Sequence, residues 1–157
     1  MKNKLPYCNS KDAISGFEDS VLAKFEKNDC VVRSFASALD LNYDDAHEYI
    51  KKKFERKNHK GVRNFNETMD KLSLFKTKIN GKILEKVEGL EKKVLVGGLS
   101  KTKRISIGTF TKNYSKGTYI MSVNGHAFTI KDGVVIGNKN DAEKLRVIVE
   151  SSWKVID

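Results

Sequence analysis

The chain has 157 residues, enough for one domain with a real core, and its 39% hydrophobic and 32% charged content argues against disorder. Thirty Lys and Arg against twenty Asp and Glu give a net charge of +10, which admits a polyanionic partner. No stretch approaches the roughly 18 apolar residues that a membrane span needs, and MKNKLPYCNSK holds no signal-peptide run, so no membrane association and a cytoplasmic location are expected.

Taken in chain order, the first half reads as helical. Residues from about 11 to 25 carry Ile14, Phe17, Val21, Leu22 and Phe25 in a helical stripe interrupted by Gly16. Asp29 can cap a helix over residues 30–39, with Val31, Val32, Phe35, Ala36, Ala38 and Leu39 apolar. Asn42 can cap another over 43–54, whose acidic first turn and lysine-rich end suit the helix dipole. A short helix is expected over 66–72.

The period then changes. Val94-Leu95-Val96 reads as a short strand before Gly97-Gly98, and Ser106 can cap a brief helix to Asn113. Strand-like runs follow at 118–123, 126–130, 134–137, 145–149 and 153–156, which predicts an antiparallel meander. Helices over about 10–75 and sheet over about 94–157 make a single α+β domain, with no linker or repeat.

Two cysteines make no disulfide framework. Cys8 and Cys30 could pair, but two free thiols are the expectation in a reducing compartment. His47, His59 and His126 stand apart with no zinc-ligand spacing, so neither metal nor cofactor is expected.

Cys30 is the first candidate for chemistry. A thiol reacts as thiolate, and a helix N-terminus favours that anion while its N–H groups can hold an oxyanion. The bland alternative is a buried Cys acting as a small hydrophobe. His126 is the second candidate. If Lys131 to Gly133 form a three-residue loop, Ile130 faces Val134, Phe128 faces Ile136 and His126 faces Asn138. An Asn beside an imidazole aims its other nitrogen. A two-residue Asp132-Gly133 turn would instead oppose His126 to Lys139, and the His–Asn pairing would fail. Cys on a helix, His on a strand and Asn on the next strand, in that chain order, follow nucleophile–base–orienter logic.

Asn28-Asp29-Cys30-Val31-Val32-Arg33-Ser34-Phe35-Ala36 resembles the N-D-C-x-x-R-A-hydrophobic-A signature of small papain-like cysteine proteases encoded by bacteriophages, relatives in fold of bacteriocin-processing peptidases. Lys116-Gly117-Thr118-Tyr119-Ile120, Gly125-His126-Ala127-Phe128, Asp132-Gly133-Val134-Val135 and Asn138 resemble that group's second block, and Arg56-Lys57-Asn58-His59-Lys60-Gly61 its basic loop. The resemblance implies a papain-like α+β fold, the nucleophile helix packed on a C-terminal antiparallel sheet, with Cys30, His126 and Asn138 as triad. The family's usual oxyanion Gln before the Cys is missing: Lys24 or Phe25 occupies that neighbourhood. Asn28 is the available substitute.

The leading expectation is therefore a cysteine hydrolase acting on a protein or peptide substrate through a peptide or isopeptide bond. The competing one is a non-catalytic papain-like scaffold, associated with a virion and contacting other phage structural proteins. The basic run Lys51-Lys52-Lys53, Arg56-Lys57, Lys60 and Arg63 would suit an acidic protein or nucleic acid, or be only a solvated helix end. An independent nucleic-acid module is disfavoured, because no aromatics interleave with that run. Cleft walls are expected at about 56–66 and 97–106.

Overall fold

A computed structural model describes residues 4–157; the first three residues of the N-terminal stretch lie outside it. The chain is α+β. In order it forms β1 (Tyr7–Asn9), α1 (Ser10–Ala13), α2 (Val21–Phe25), α3 (Cys30–Leu39), α4 (Tyr43–Lys53) and α5 (Phe65–Leu74). There follow β2 (Ile83–Lys86), β3 (Glu91–Val96), β4 (Leu99–Arg104), α6 (Ile107–Asn113), β5 (Thr118–Val123) and β6 (His126–Lys131). The chain ends with β7 (Val134–Gly137), α7 (Lys139–Glu143) and β8 (Ser151–Ile156).

Helix α3 spans the residues its periodicity predicts, and Asp40 ends it in the left-handed region at φ 55°, its N–H donating to the Ala36 carbonyl. Asn42 caps α4 as expected, its side chain accepting from the Asp45 N–H at 2.8 Å. The expected helix over 11–25 is instead two short helices, with Gly16 at φ 73° between them. Left-handed backbone breaks a helix, and Gly takes it at no steric cost.

Six strands form one sheet in the order β1-β7-β6-β5-β8-β2. Four of its neighbour pairs are antiparallel; the edge strand β1, which the sequence reading lacked, pairs parallel with β7. Residues 145–149 do not form a strand and contribute only a bridge from Ile148 to Ser106. Region 97–106 is no cleft wall: β3 and β4 form a separate two-stranded hairpin.

Alternation along the strands gives the sheet two buried faces. One packs against the helices through Val32, Phe35, Leu39, Tyr43, Ile50, Met69, Leu72, Ile120, Ala127 and Trp153. The other packs Met121, Val123, Phe128, Ile130 and Val135 against Ile107, Phe110 and Val149. Helix α3 lies against β6. Its register there is set by a buried polar link: Thr129 Oγ1 donates to the Ser34 carbonyl at 3.0 Å, and Ser37 Oγ donates to Thr129 Oγ1 at 2.8 Å. Because buried hydroxyls must find partners, sliding the helix along the strand would orphan Thr129, whereas Ser37 Oγ would keep the Arg33 carbonyl of its own helix at 2.9 Å.

Candidate active site

Cys30 opens α3 and His126 opens β6, so the helix-to-strand packing brings the first residue of each element together. A two-residue turn places His126 there. Asn124 at φ 45° and Gly125 at φ 75° take the doubly left-handed conformation of a type I′ hairpin, and His126 then pairs with Val123.

The neighbouring hairpin corrects the expected His126–Asn138 pair. Asp132 at φ 49° and Gly133 at φ 80° form another two-residue turn, so Lys131 pairs with Val134, Ile130 with Val135 and Thr129 with Ile136. That register is one residue away from the three-residue loop, and it takes Asn138 off His126.

Asn138 instead caps α7. Its side chain accepts from the Asp141 N–H at 2.9 Å, and its own N–H donates to Asp141 Oδ2 at 3.0 Å, a reciprocal capping box. This turns Asp141, 2% exposed, onto the histidine: Asp141 Oδ1 lies 2.8 Å from His126 Nε2. Lys144 Nζ also approaches that oxygen, at 3.2 Å. Asp141 is the residue that sequence reasoning missed, although Asn-x-x-Asp at 138–141 carries the spacing of a capping box.

The electrostatics agree with this geometry. The Asp141 contact and the Cys30 thiol together raise His126 from its ordinary 6.5 to about 9, against the opposing effect of burial. Burial pushes the Cys30 thiol up, but the His126 side chain and the Ala127 N–H more than offset it, and the thiol ends below its usual value. Burial also pushes the Asp141 carboxyl up, while the close His126 imidazole and the hydrogen bond from the Asn138 N–H leave it lowered. The thiol down and the imidazole up is the direction a thiolate–imidazolium pair requires.

The start of α3 is unusual. Asp29 occupies the cap position without capping: its carboxylate accepts from Arg33 Nε at 3.0 Å and from the Tyr43 hydroxyl at 2.7 Å. The first-turn N–H groups beside Cys30 thus have no side-chain cap, which keeps them available to an anion. Asn28, at φ 52°, lines the cleft with Cys30, but its Nδ2 donates to the His59 carbonyl at 3.0 Å. One hydrogen of its amide is thereby committed to the 56–61 loop, which leaves a single N–H of Asn28 for an oxyanion.

Two cavities meet at Cys30, His126, Ala127, Gly61 and Gly125. One, of about 620 Å³, runs past Asp29, Arg33 and Ser10 towards Asn138. The other, of about 350 Å³, is walled by Val31, Val62, Phe65, Asn66 and Glu150. Asn66 Oδ1 is shielded from solvent with no donor partner. The 56–66 wall is therefore where the sequence placed it.

Cys8 and Cys30 are both free thiols, each half-buried. Among the described residues no group of His, Cys, Asp and Glu could hold a metal ion, and no helix is long and apolar enough to cross a membrane. No protein-family model, curated protein or solved structure matches this chain.

Proposed function

We propose that the chain is a papain-like cysteine hydrolase cleaving a peptide, isopeptide or related amide bond. One observation carries the reading: Cys30, at an uncapped helix start, shares an open cleft with a His126 that is backed by a buried carboxylate. Cys30 attacks the carbonyl carbon as thiolate. His126, oriented through Nε2 by Asp141, returns its proton to the leaving nitrogen, and water then releases the acyl group from sulfur. The Cys30 N–H and its first-turn neighbours receive the oxyanion. Asn66 Oδ1 offers an acceptor to a substrate N–H in the smaller arm of the cleft. Asp141 takes the orienting role that the family resemblance assigns to Asn138, which acts only through Asp141.

The test is the rate of iodoacetamide labelling of Cys30 against pH, in wild type and His126→Ala. Fast labelling well below the usual thiol range, lost in the variant, supports the activated pair. Labelling like that of a simple thiol in both proteins refutes it.

A second reading, a papain-like scaffold serving as a virion or interaction component, is favoured by the β3–β4 hairpin. That arm stands off the main sheet and exposes Leu95 and Leu99, 80% and 67% accessible. An idle scaffold predicts slow labelling of Cys30 together with assembly defects on Leu95→Ser/Leu99→Ser.

A further inference from the structure

A third cavity, of about 710 Å³, adjoins the cleft and is lined by Lys53, Lys57, Lys60, Arg63 and Glu55 around the buried Arg56. Arg56 is spoken for. Its side chain is 1% exposed and its terminal nitrogens bind Glu26, at 3.1 and 3.0 Å, and the Lys27 carbonyl. Its Nε–H, however, is buried with no acceptor. Among the described residues, none of Lys53, Lys57, Lys60 and Arg63 comes within 4.0 Å of a carboxylate oxygen. Glu55 is the single carboxylate in the lining against those four free cations, so the pocket is strongly positive.

Its position gives that charge a use. Gly61 lines this pocket and both arms of the cleft at Cys30, and a Cβ at Gly61 would meet nothing within 4 Å. The basic pocket thus borders both arms of the cleft at Gly61, a shared wall residue without a side chain. We infer that the basic pocket holds an acidic segment of the polypeptide whose bond is presented to Cys30, which rests on the hydrolase reading. Peptide suits it better than nucleic acid. The one aromatic in the lining, Phe54, is 7% exposed and offers no stacking surface for bases. Three lysines and an arginine lining one concavity suit several carboxylates.

The experiment uses a fluorescein-labelled hexaglutamate peptide and the full chain carrying Cys30→Ala, read by fluorescence anisotropy. Tighter binding of the peptide than of a twelve-nucleotide oligo-dT is expected. The triple variant Lys57→Gln/Lys60→Gln/Arg63→Gln should lose about tenfold or more, roughly what removing three charge-assisted contacts implies. Lys92→Gln/Lys101→Gln/Lys103→Gln, on the remote hairpin, should lose little. Equal losses in the two triples, or preference for the oligonucleotide, would overturn the inference. A second arm joins the glutamates to a chloroacetyl group that alkylates Cys30 of the otherwise native chain, chloride leaving as the thioether forms. The acidic peptide should react at least tenfold faster than its Gly/Ser counterpart; equal rates overturn the inference. This ratio measures delivery and the iodoacetamide profile measures thiol activation, so a slow thiol with a preserved ratio sinks the hydrolase reading alone.

Discussion

Asp141 Oδ1 lies 2.8 Å from His126 Nε2, while the Asn138 N–H donates to the same carboxylate and the Asn138 side chain accepts from the Asp141 N–H. The two residues are therefore separable by mutation. Asp141→Asn removes the charge that raises His126, so it should cut any hydrolysis by about 10² to 10⁴, the range for losing an orienting carboxylate. Asn138→Ala removes a cap worth about 0.5–2 kcal/mol. It should lower stability in urea denaturation and loosen Asp141, with a smaller loss of Cys30 labelling. Equal loss from the two substitutions would return the orienting role to Asn138.

Opposite pKa shifts at Cys30 and His126 set the pH window. The active form needs thiolate, and the thiol is lowered, so the acid limb of labelling should fall below the ordinary cysteine range of about 8.5. The form with a protonated imidazole persists until His126 titrates near 9, so hydrolysis should decline above that pH. The two limbs belong to the coupled pair rather than to either residue. A hydrolysis profile that keeps rising through pH 10 would show that no imidazolium is needed.

These features differ in how far the chain's residue pattern announced them. Helix α3 follows from a 3.6-residue apolar period that no tertiary contact overrides, and its start carries Cys30 into place. The hairpin at Asp132-Gly133 was ambiguous because a two-residue and a three-residue loop suit the same sequence. The choice moves every partner by one residue, and so moves Asn138 off His126. Asp141 escaped notice because it reaches the site from a five-residue helix with no apolar period. Edge strand β1 is three residues long and pairs with a strand about 130 positions later, which local pattern cannot reveal.

A buried carboxylate outside the catalytic group ties the cleft wall together. Glu26, its side chain 3% exposed, meets His47 Nε2 at 2.6 Å, Arg56 at 3.0 Å and the His59 N–H at 2.6 Å. Burial raises its carboxyl, but Arg56 and His47, with the Lys27 and His59 N–H groups, hold it down at about 2. A carboxylate lowered in this way stabilises the fold above its unfolded value of 4.5, and that contribution fades as pH falls towards 2. Glu26→Gln leaves the buried Arg56 without its counter-charge, so a loss of about 3–5 kcal/mol is expected in urea denaturation. The difference from wild type should shrink as pH falls from 4.5 towards 2. A difference that stays constant with pH would mean that Glu26 acts through packing alone.

Asp29 is the carboxylate nearest the start of α3, and it works against the thiolate. Its charge raises the Cys30 thiol, although Arg33 and the Tyr43 hydroxyl both donate to its Oδ2. Tyr43 is fully buried, and its hydroxyl is raised well above the ordinary tyrosine value by burial and by Asp29. Asp29→Asn keeps an oxygen that can accept from Tyr43, removes the negative charge and frees the Arg33 cation beside the cleft. Both electrostatic changes favour thiolate, so the acid limb of Cys30 labelling should move to lower pH. The helix start should weaken at the same time, by about 1–3 kcal/mol for a charged hydrogen-bond network with one partner changed. If the limb moves to higher pH instead, the geometry that Asp29 imposes on the first turn outweighs its charge. The uncapped N–H groups would then depend on that carboxylate to stay aimed at the sulfur.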